Sequence, residues 1–184
     1  MTDSTIWSRR RFQNGEVIVT FMIVLFLRPF TAPPPALQLR TGFQPGSICM
    51  AINHLISCGR RHIAIIGGGE TYTAATDRTK GALEALAELG IEPAGPIRYG
   101  KWDEGWGRAA TCLLLDQGVT FDAVVCQNDQ LARGRIDVLK QQDLRIPDDV
   151  AVIGHDNWSV LASSSGPALT SIDNETETIG RRAA

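Results

Sequence analysis

Four residues between positions 78 and 156 have side chains that together suit a polyhydroxylated ligand. They are Arg78, Trp102, Asn128 and Asp156. Arginine offers a bidentate cation, asparagine a donor and acceptor, and aspartate a carboxylate, while tryptophan offers a flat apolar face for a sugar ring. These residue types predict a site for a sugar or similar small polyol. Spacing alone leaves another interpretation open, in which Asp129 starts a helix and Asp156 makes a turn.

Three consecutive glycines, Gly67, Gly68 and Gly69, invite comparison with phosphate-binding loops. No Gly-Lys-Ser/Thr follows them, and Tyr72 stands where the dinucleotide-binding fingerprint requires glycine. They therefore favour a tight strand-to-loop turn close to a ligand. A nucleotide binder or an enzyme that uses these glycines is a weaker alternative.

The histidines and cysteines do not form a catalytic or metal-binding pattern. The three histidines are scattered, no Ser or Cys nucleophile motif accompanies them, and they are interpreted as surface or capping residues: His54, His62 and His155. The four cysteines lack zinc or disulfide spacing and are expected to be buried free thiols: Cys49, Cys58, Cys112 and Cys126. We therefore predict no enzyme activity, cofactor or metal, and a reducing cytoplasmic compartment.

The composition indicates a globular chain with two unlike parts. The 184 residues are 43% hydrophobic and 21% charged, which excludes global disorder, and the net charge of −2 does not predict nucleic-acid binding. Residues 1–46 carry five arginines against two acidic residues, whereas residues 47–184 carry 13 basic and 18 acidic residues. The two parts are therefore considered separately.

The N-terminal part contains one apolar run, VIVTFMIVLFL, at residues 17–27. Eleven residues are fewer than the roughly 20 that span a bilayer, so no membrane segment is predicted. The arginines before the run resemble a signal peptide, but Arg28 and Pro29 follow at once. A buried strand followed by a proline-rich linker is favoured. A secreted sugar-binding protein is the alternative if the run acts as a signal.

From residue 46 the sequence alternates between helical and strand patterns. Helices are predicted at about 47–58, 74–89, 104–117 and 129–142 and from 175 onward, and strands at 63–66, 97–99, 123–126, 150–153 and 168–172. The periodicity places Leu83, Leu89, Ala109 and Leu113 on inward faces. This alternation predicts an α/β fold with a doubly wound parallel sheet. Ligands bind at the carboxyl ends of strands in such sheets, where the four candidate residues fall.

These segments resemble the effector-binding domain of the LacI/GalR family of bacterial transcription regulators, and their relatives the type I periplasmic sugar-binding proteins. The matching stretches are AINHLISCGRRHIAIIGG, DRTKGALEALAELGI, CQNDQLARG, LRIPDDVAVIGHDN, and PALTSID followed by IGRRAA. The resemblance implies one lobe of a periplasmic-binding-protein-like fold. It also implies that Arg78, Trp102, Asn128 and Asp156 face the effector.

The resemblance divides the chain into three parts. Residues 1–46 match the family nowhere and are expected to be a frameshifted or fused segment, residues 47–172 match the sensor lobe, and residues 173–184 match a truncated crossover helix toward the missing lobe. A regulator without its helix-turn-helix headpiece is therefore expected, with operator DNA a partner only of an intact family member. A non-functional gene fragment is the remaining alternative.

Two features are expected to weaken the molecule's interactions. A single lobe leaves one side of the effector in water, so effector binding should be weak. In the family, the helix after the Asn-Asp pair contributes to the dimer face, and here Arg133 and Arg135 flank Gly134 in its second turn. Unpaired arginines are costly to desolvate at such an interface, so we expect a weakened homodimer.

Overall fold

The computed structural model describes residues 38–40, 47–164, 166–175 and 181, all within one compact unit at residues 33–184. The described strands are β1 (Gln38–Arg40), β2 (Ile63–Ile66), β3 (Ala123–Cys126), β4 (Ala151–His155) and β5 (Thr170–Asp173). The described helices are α1 (Ser47–Ser57), α2 (Thr73–Ala87), α3 (Glu104–Asp116), α4 (Asp129–Gln141) and α5 (Ser159–Ser164).

The strands form one parallel sheet in the order β1-β5-β4-β3-β2. Alternate residues of β2 enter different cores, because successive side chains of a strand point to opposite faces. Ile63 and Ile65 pack with α1 and α2, whereas Ala64 and Ile66 pack with α3 and α4. Helices thus cover both faces, as expected for parallel strands, and the predicted α/β fold is confirmed.

Helices α3 and α4 approach each other at two glycines. A Cβ atom on Gly107 would lie 2.3 Å from the Leu131 carbonyl oxygen, and one on Gly134 would lie 2.0 Å from the Glu104 carbonyl oxygen. The two backbones therefore touch where a side chain would separate them. This contact fixes the start of α4, which carries part of the pocket described below.

The observed elements differ from the predicted ones in three places. The predicted strand at 97–99 is a single bridge between Arg98 and Ile66. Strand β1 lies within the segment that the sequence left unmatched, where it pairs with β5, and α5 lies in a stretch for which no element is predicted. The predicted strand at 17–27 lies outside the described residues, as does the final helix apart from Arg181.

Several predicted inward positions are wrong. Leu83, Leu89 and Leu113 are 38%, 47% and 40% exposed, and Ala109 is also exposed. Helix α2 instead buries a stripe of small residues that includes Ala75, Ala82 and Ala85. Ala82 and Ala85 belong to the same buried cluster as residues of α1 and β2.

Candidate functional site

A pocket of about 350 Å³ opens at the carboxyl ends of β2, β3 and β4. It is lined by Tyr72, Ala74, Arg78, Trp102, Asn128, Asp129, Gln130, Asp156, Trp158 and Leu161. The structure therefore brings together all four residues that the sequence singled out, from four separate segments of the chain.

Arg78 lies in the second turn of α2, and its side chain lines the pocket. Its Nη1 donates to the Gln127 carbonyl oxygen, and its Nη2 lies 3.3 Å from Asp156 Oδ1. Its guanidinium carbon is 5.8 Å from the centre of the Trp102 ring. Burial lowers the pKa of Arg78, and the nearby Asp156 carboxylate opposes that shift. A partly desolvated cation and its counter-ion thus face the pocket.

Asp156 has one carboxylate oxygen engaged and one left for a ligand. Its Oδ1 accepts hydrogen bonds from Arg78 and from Asn174 Nδ2, the latter at 2.9 Å, and lies 3.0 Å from His155 Nδ1. No hydrogen bond among the described residues uses Oδ2. This oxygen is free to accept from a hydroxyl group that enters the pocket.

His155 supports Asp156 from the protein interior, so its interpretation as a surface or capping residue is wrong. It is 1% exposed, and its Nε2 lies 3.0 Å from the Ser47 hydroxyl oxygen. Burial lowers the pKa of His155, which favours the neutral ring. Because Asp156 can only accept, Nδ1 carries the proton and the Ser47 hydroxyl donates to Nε2.

Asn128 caps α4 and also lines the pocket. Its Oδ1 accepts from the Leu131 N–H at 2.8 Å, and its Nδ2 donates to the Trp102 carbonyl oxygen at 3.4 Å. One residue therefore both caps α4 and lines the pocket. The amide keeps one N–H and further acceptor capacity for a ligand.

Asp129 is almost fully buried in the pocket wall and holds the loop after β4. Its Oδ1 accepts from the Ser171 hydroxyl at 2.6 Å, and its Oδ2 accepts from the Trp158 N–H at 2.8 Å. Gly154 makes room for it, since a Cβ there would lie 2.3 Å from Oδ1. Burial raises the pKa of Asp129 to about 6.

We expect stability to fall as pH rises from about 4 to about 6 through Asp129. Its folded-state pKa is raised, so the folded protein holds a proton that the unfolded chain releases in this range. The contribution, about 1–3 kcal/mol, is fully present below pH 4 and is lost above pH 6. Asp129→Asn should remove this part of the pH dependence, measured by urea unfolding between pH 4.5 and 7.5.

The exposed carboxylate Asp116 provides the matched control. Asp116→Asn removes an exposed carboxylate at the end of α3 and should leave the pH dependence assigned to Asp129 in place. The titration of His155, whose lowered pKa has the opposite sign, is common to all three proteins and cancels in their differences. If Asp129→Asn kept the pH dependence of stability of the parent chain, burial would not raise the pKa of this carboxyl.

The glycines after β2 make room for aromatic rings. A Cβ on Gly68 would lie 2.0 Å from the Trp102 ring, and one on Gly67 would lie 2.9 Å from the Tyr99 ring. The Trp106 indole N–H also donates to the Gly67 carbonyl oxygen at 3.0 Å. The space that these glycines leave is therefore filled by side chains, and it is not a phosphate cradle.

Sequence reasoning missed several residues of the pocket wall: Tyr72, Gln130, Trp158 and Leu161. Trp158 carried a usable signal, because it stands two residues after Asp156. The cysteine expectation was partly wrong, since Cys126 is buried but Cys58 and Cys112 are exposed. The described residues hold no cluster of His, Cys, Asp or Glu fit for a metal ion, and none of their helices could cross a membrane.

The two arginines of α4 occupy different environments. Arg135 is completely buried, so its predicted place on a dimer surface is wrong. Its carbon Cζ lies 4.5 Å from the centre of the Phe121 ring. Arg133 is partly exposed, and its Nε lies 3.4 Å from Glu104 Oε1. Only Arg133 is placed where it can affect a contact between subunits.

Comparison with known families identifies the class of protein that this fold belongs to. The chain belongs to the family of periplasmic binding protein-like domains, whose model matches residues 52–184. Its similarity to LacI/GalR transcription regulators, expected from the sequence, is confirmed by its relatives. These relatives are transcription regulators.

One relative is the HTH-type transcriptional regulator CelR of Thermobifida fusca, 36% identical over 135 residues. The alignment covers 73% of this chain and 39% of CelR, so the chain spans about two fifths of that regulator. A solved complex of the transcriptional regulator CelR with cellobiose superimposes with a TM-score of 0.71 at 33% identity, over 84% of this chain and 47% of the other.

The lac repressor dimer bound to operator and the anti-inducer ONPF is a second structural neighbour. Its TM-score is 0.73 at 26% identity, and the match covers 78% of this chain and 43% of the repressor chain. Two independently solved regulators thus share the described fold.

Proposed function

We propose that this chain is the ligand-sensing domain of a LacI/GalR-type transcription regulator that acts in the cytoplasm, and that its effector is a sugar or similar small polyol. Arg78, Trp102, Asn128 and Asp156 are the proposed effector-binding residues. The observation that carries the proposal is the Arg78–Asp156 ion pair beside an aromatic wall, with the second Asp156 oxygen free. Vicinal hydroxyl groups fit such a pair because they donate to the carboxylate while they accept from the guanidinium.

The comparisons support this chemistry. CelR is solved with cellobiose, which is a sugar, and the lac repressor structure contains operator DNA and a small anti-inducer. In an intact family member, closure of two lobes on the effector would change how the DNA-binding headpieces sit on the operator. Operator DNA is proposed as a partner only of such an intact member. A homodimer weakened by Arg133 also stays a proposal.

Arg78→Ala should abolish detectable sugar binding. Binding to the 184-residue chain is expected to be weak, with Kd near a millimolar, because the described pocket contacts a ligand from one side. Hydrogen bonds to a charged group contribute about 1.5–3 kcal/mol each, so loss of the guanidinium should weaken binding roughly tenfold or more. The measurement is an NMR titration of the indole N–H signals with a panel of sugars, nucleosides and nucleotides.

Lys80→Ala provides the control on the same helix, since the Lys80 side chain is 76% exposed and lies away from the pocket lining. It should bind sugars as the parent chain does. Equal sugar affinity in Arg78→Ala and Lys80→Ala would exclude the proposed site. Signals that respond to nucleotides and to no sugar would exclude the proposed effector class.

A further inference from the structure

Trp158 presents a large apolar ring to water from a tightly held backbone. Its side chain lines the pocket, and the residue is 59% exposed. Its N–H donates to Asp129 at 2.8 Å, and its carbonyl oxygen accepts from the N–H groups of Leu161 and Ala162, both at 2.8 Å. An exposed tryptophan ring contributes little to the stability of the fold. Its fixed position therefore indicates a role other than packing.

The two residues before Trp158 have strained backbone conformations that help to fix its position. Asp156 and Asn157 have φ values of +102° and +50°, in the region that non-glycine residues seldom adopt. The Asn157 N–H is held by the Ser171 hydroxyl at 3.0 Å. Trp158 thus follows directly after two residues with positive φ, and it lies beside the carboxylate of the proposed site.

Trp158 also has fewer contacts with other protein groups than Trp102, the second indole in the pocket. Trp102 lies against the backbone of Gly68, and the Arg78 guanidinium is over its ring. Among the described residues, no ring or cation stacks on Trp158. One flat indole face is therefore available to a ligand beyond the Arg78–Asp156 pair.

Gln130 supplies a polar group in the same pocket. It stands in the first turn of α4 and is partly exposed, and its side-chain amide makes no hydrogen bond to another described residue. A free amide can both donate to and accept from hydroxyl groups. Trp158 and Gln130 thus offer an apolar ring and a polar group side by side. The same combination of Trp102 with polar side chains suits a sugar ring beside the Arg78–Asp156 pair.

We propose that Trp158 and Gln130 form a second sugar subsite, so that the effector is a disaccharide rather than a monosaccharide. The inference rests on the proposed function, in which the Arg78–Asp156 pair binds the first ring. The second ring then stacks on Trp158, and its hydroxyl groups bond to the Gln130 amide.

The test uses the full 184-residue chain labelled with ¹⁵N at tryptophan. The sequence contains four tryptophans, Trp7, Trp102, Trp106 and Trp158, and single Trp→Phe variants assign the indole signals. Cellobiose, maltose, lactose and sucrose are titrated beside glucose, galactose and fructose. We expect at least one disaccharide to bind roughly tenfold more tightly than its own monosaccharides and to shift the Trp158 signal.

Substitutions distinguish the loss of the subsite from a loss of the folded structure. Trp158→Ala should remove the roughly tenfold advantage of the disaccharide over its own monosaccharides, and Trp158→Phe should keep part of it. Val160→Ala, two residues further along the chain in α5 and outside the pocket lining, should behave as the parent chain.

The outcomes distinguish this inference from the proposed function. Disaccharides that bind no more tightly than their monosaccharides, or that lose nothing in Trp158→Ala, overturn the second subsite and leave the sugar site intact. A chain whose indole signals respond to none of these sugars overturns the proposed function and the subsite with it.

Discussion

Gly134→Ala should lower the free energy of unfolding by about 3 kcal/mol or more. The new methyl carbon would lie 2.0 Å from the Glu104 carbonyl oxygen, a backbone atom of α3 that cannot move without the helix. Relief of the clash requires the two helices to separate, which loosens the shared core around Ala110, Leu114 and Leu131. The gain in helix propensity, about 1 kcal/mol for Gly→Ala, offsets only part of this loss.

Gly105→Ala is the matched control, because it adds the same methyl group to the exposed side of α3. The nearest atom to its Cβ is Asp103 Oδ1 at 3.2 Å, and no backbone atom of another helix is near. Its free energy of unfolding should change by less than about 1 kcal/mol. Urea unfolding followed by circular dichroism measures both variants. Equal stability of the two would mean that α3 and α4 separate at little cost.

Strands β2 and β3 are predictable because each is a short, uninterrupted apolar run with a clear stop, as parallel strands buried on both faces require. Strand β1 carries no such pattern. It forms because its backbone pairs with β5, more than 130 residues later, and local sequence does not encode that pairing. Leu83 was misplaced for a different reason: it is next to Ala82, about 100° away around the helix, and the small residue is the buried one.

The pocket was predictable to the extent that it follows from topology. Residues after the carboxyl ends of neighbouring parallel strands must meet, so Arg78, Asn128 and Asp156 were brought together by the predicted fold. The support of Asp156 by His155 was not predictable, because it needs Ser47 from α1, 108 positions earlier. Gln130 was missed because first-turn residues of a helix are usually solvated.

Arg135→Met should raise the free energy of unfolding by about 1–4 kcal/mol. Arg135 is completely buried, and its Nε and Nη2 have no hydrogen-bond partner among the described residues. Its described polar contact is Thr111 Oγ1 at 3.4 Å from Nη1. Burial lowers the pKa of Arg135 to about 10, yet the side chain stays charged at neutral pH. Burial also raises the pKa of Cys126 to about 12, so that thiol provides no counter-charge.

The helical period explains this burial: Arg135 is four residues from both Leu131 and Leu139, which belong to the core. Methionine has similar reach and can keep the contact with Phe121 without a charge to desolvate. Arg133→Met is the control, because it removes a partly exposed arginine paired with Glu104 and should cost less than about 1 kcal/mol. Urea unfolding at pH 7 compares the three proteins. A loss of stability in Arg135→Met would show that the stacking on Phe121 and the bond to Thr111 outweigh the desolvation of the cation.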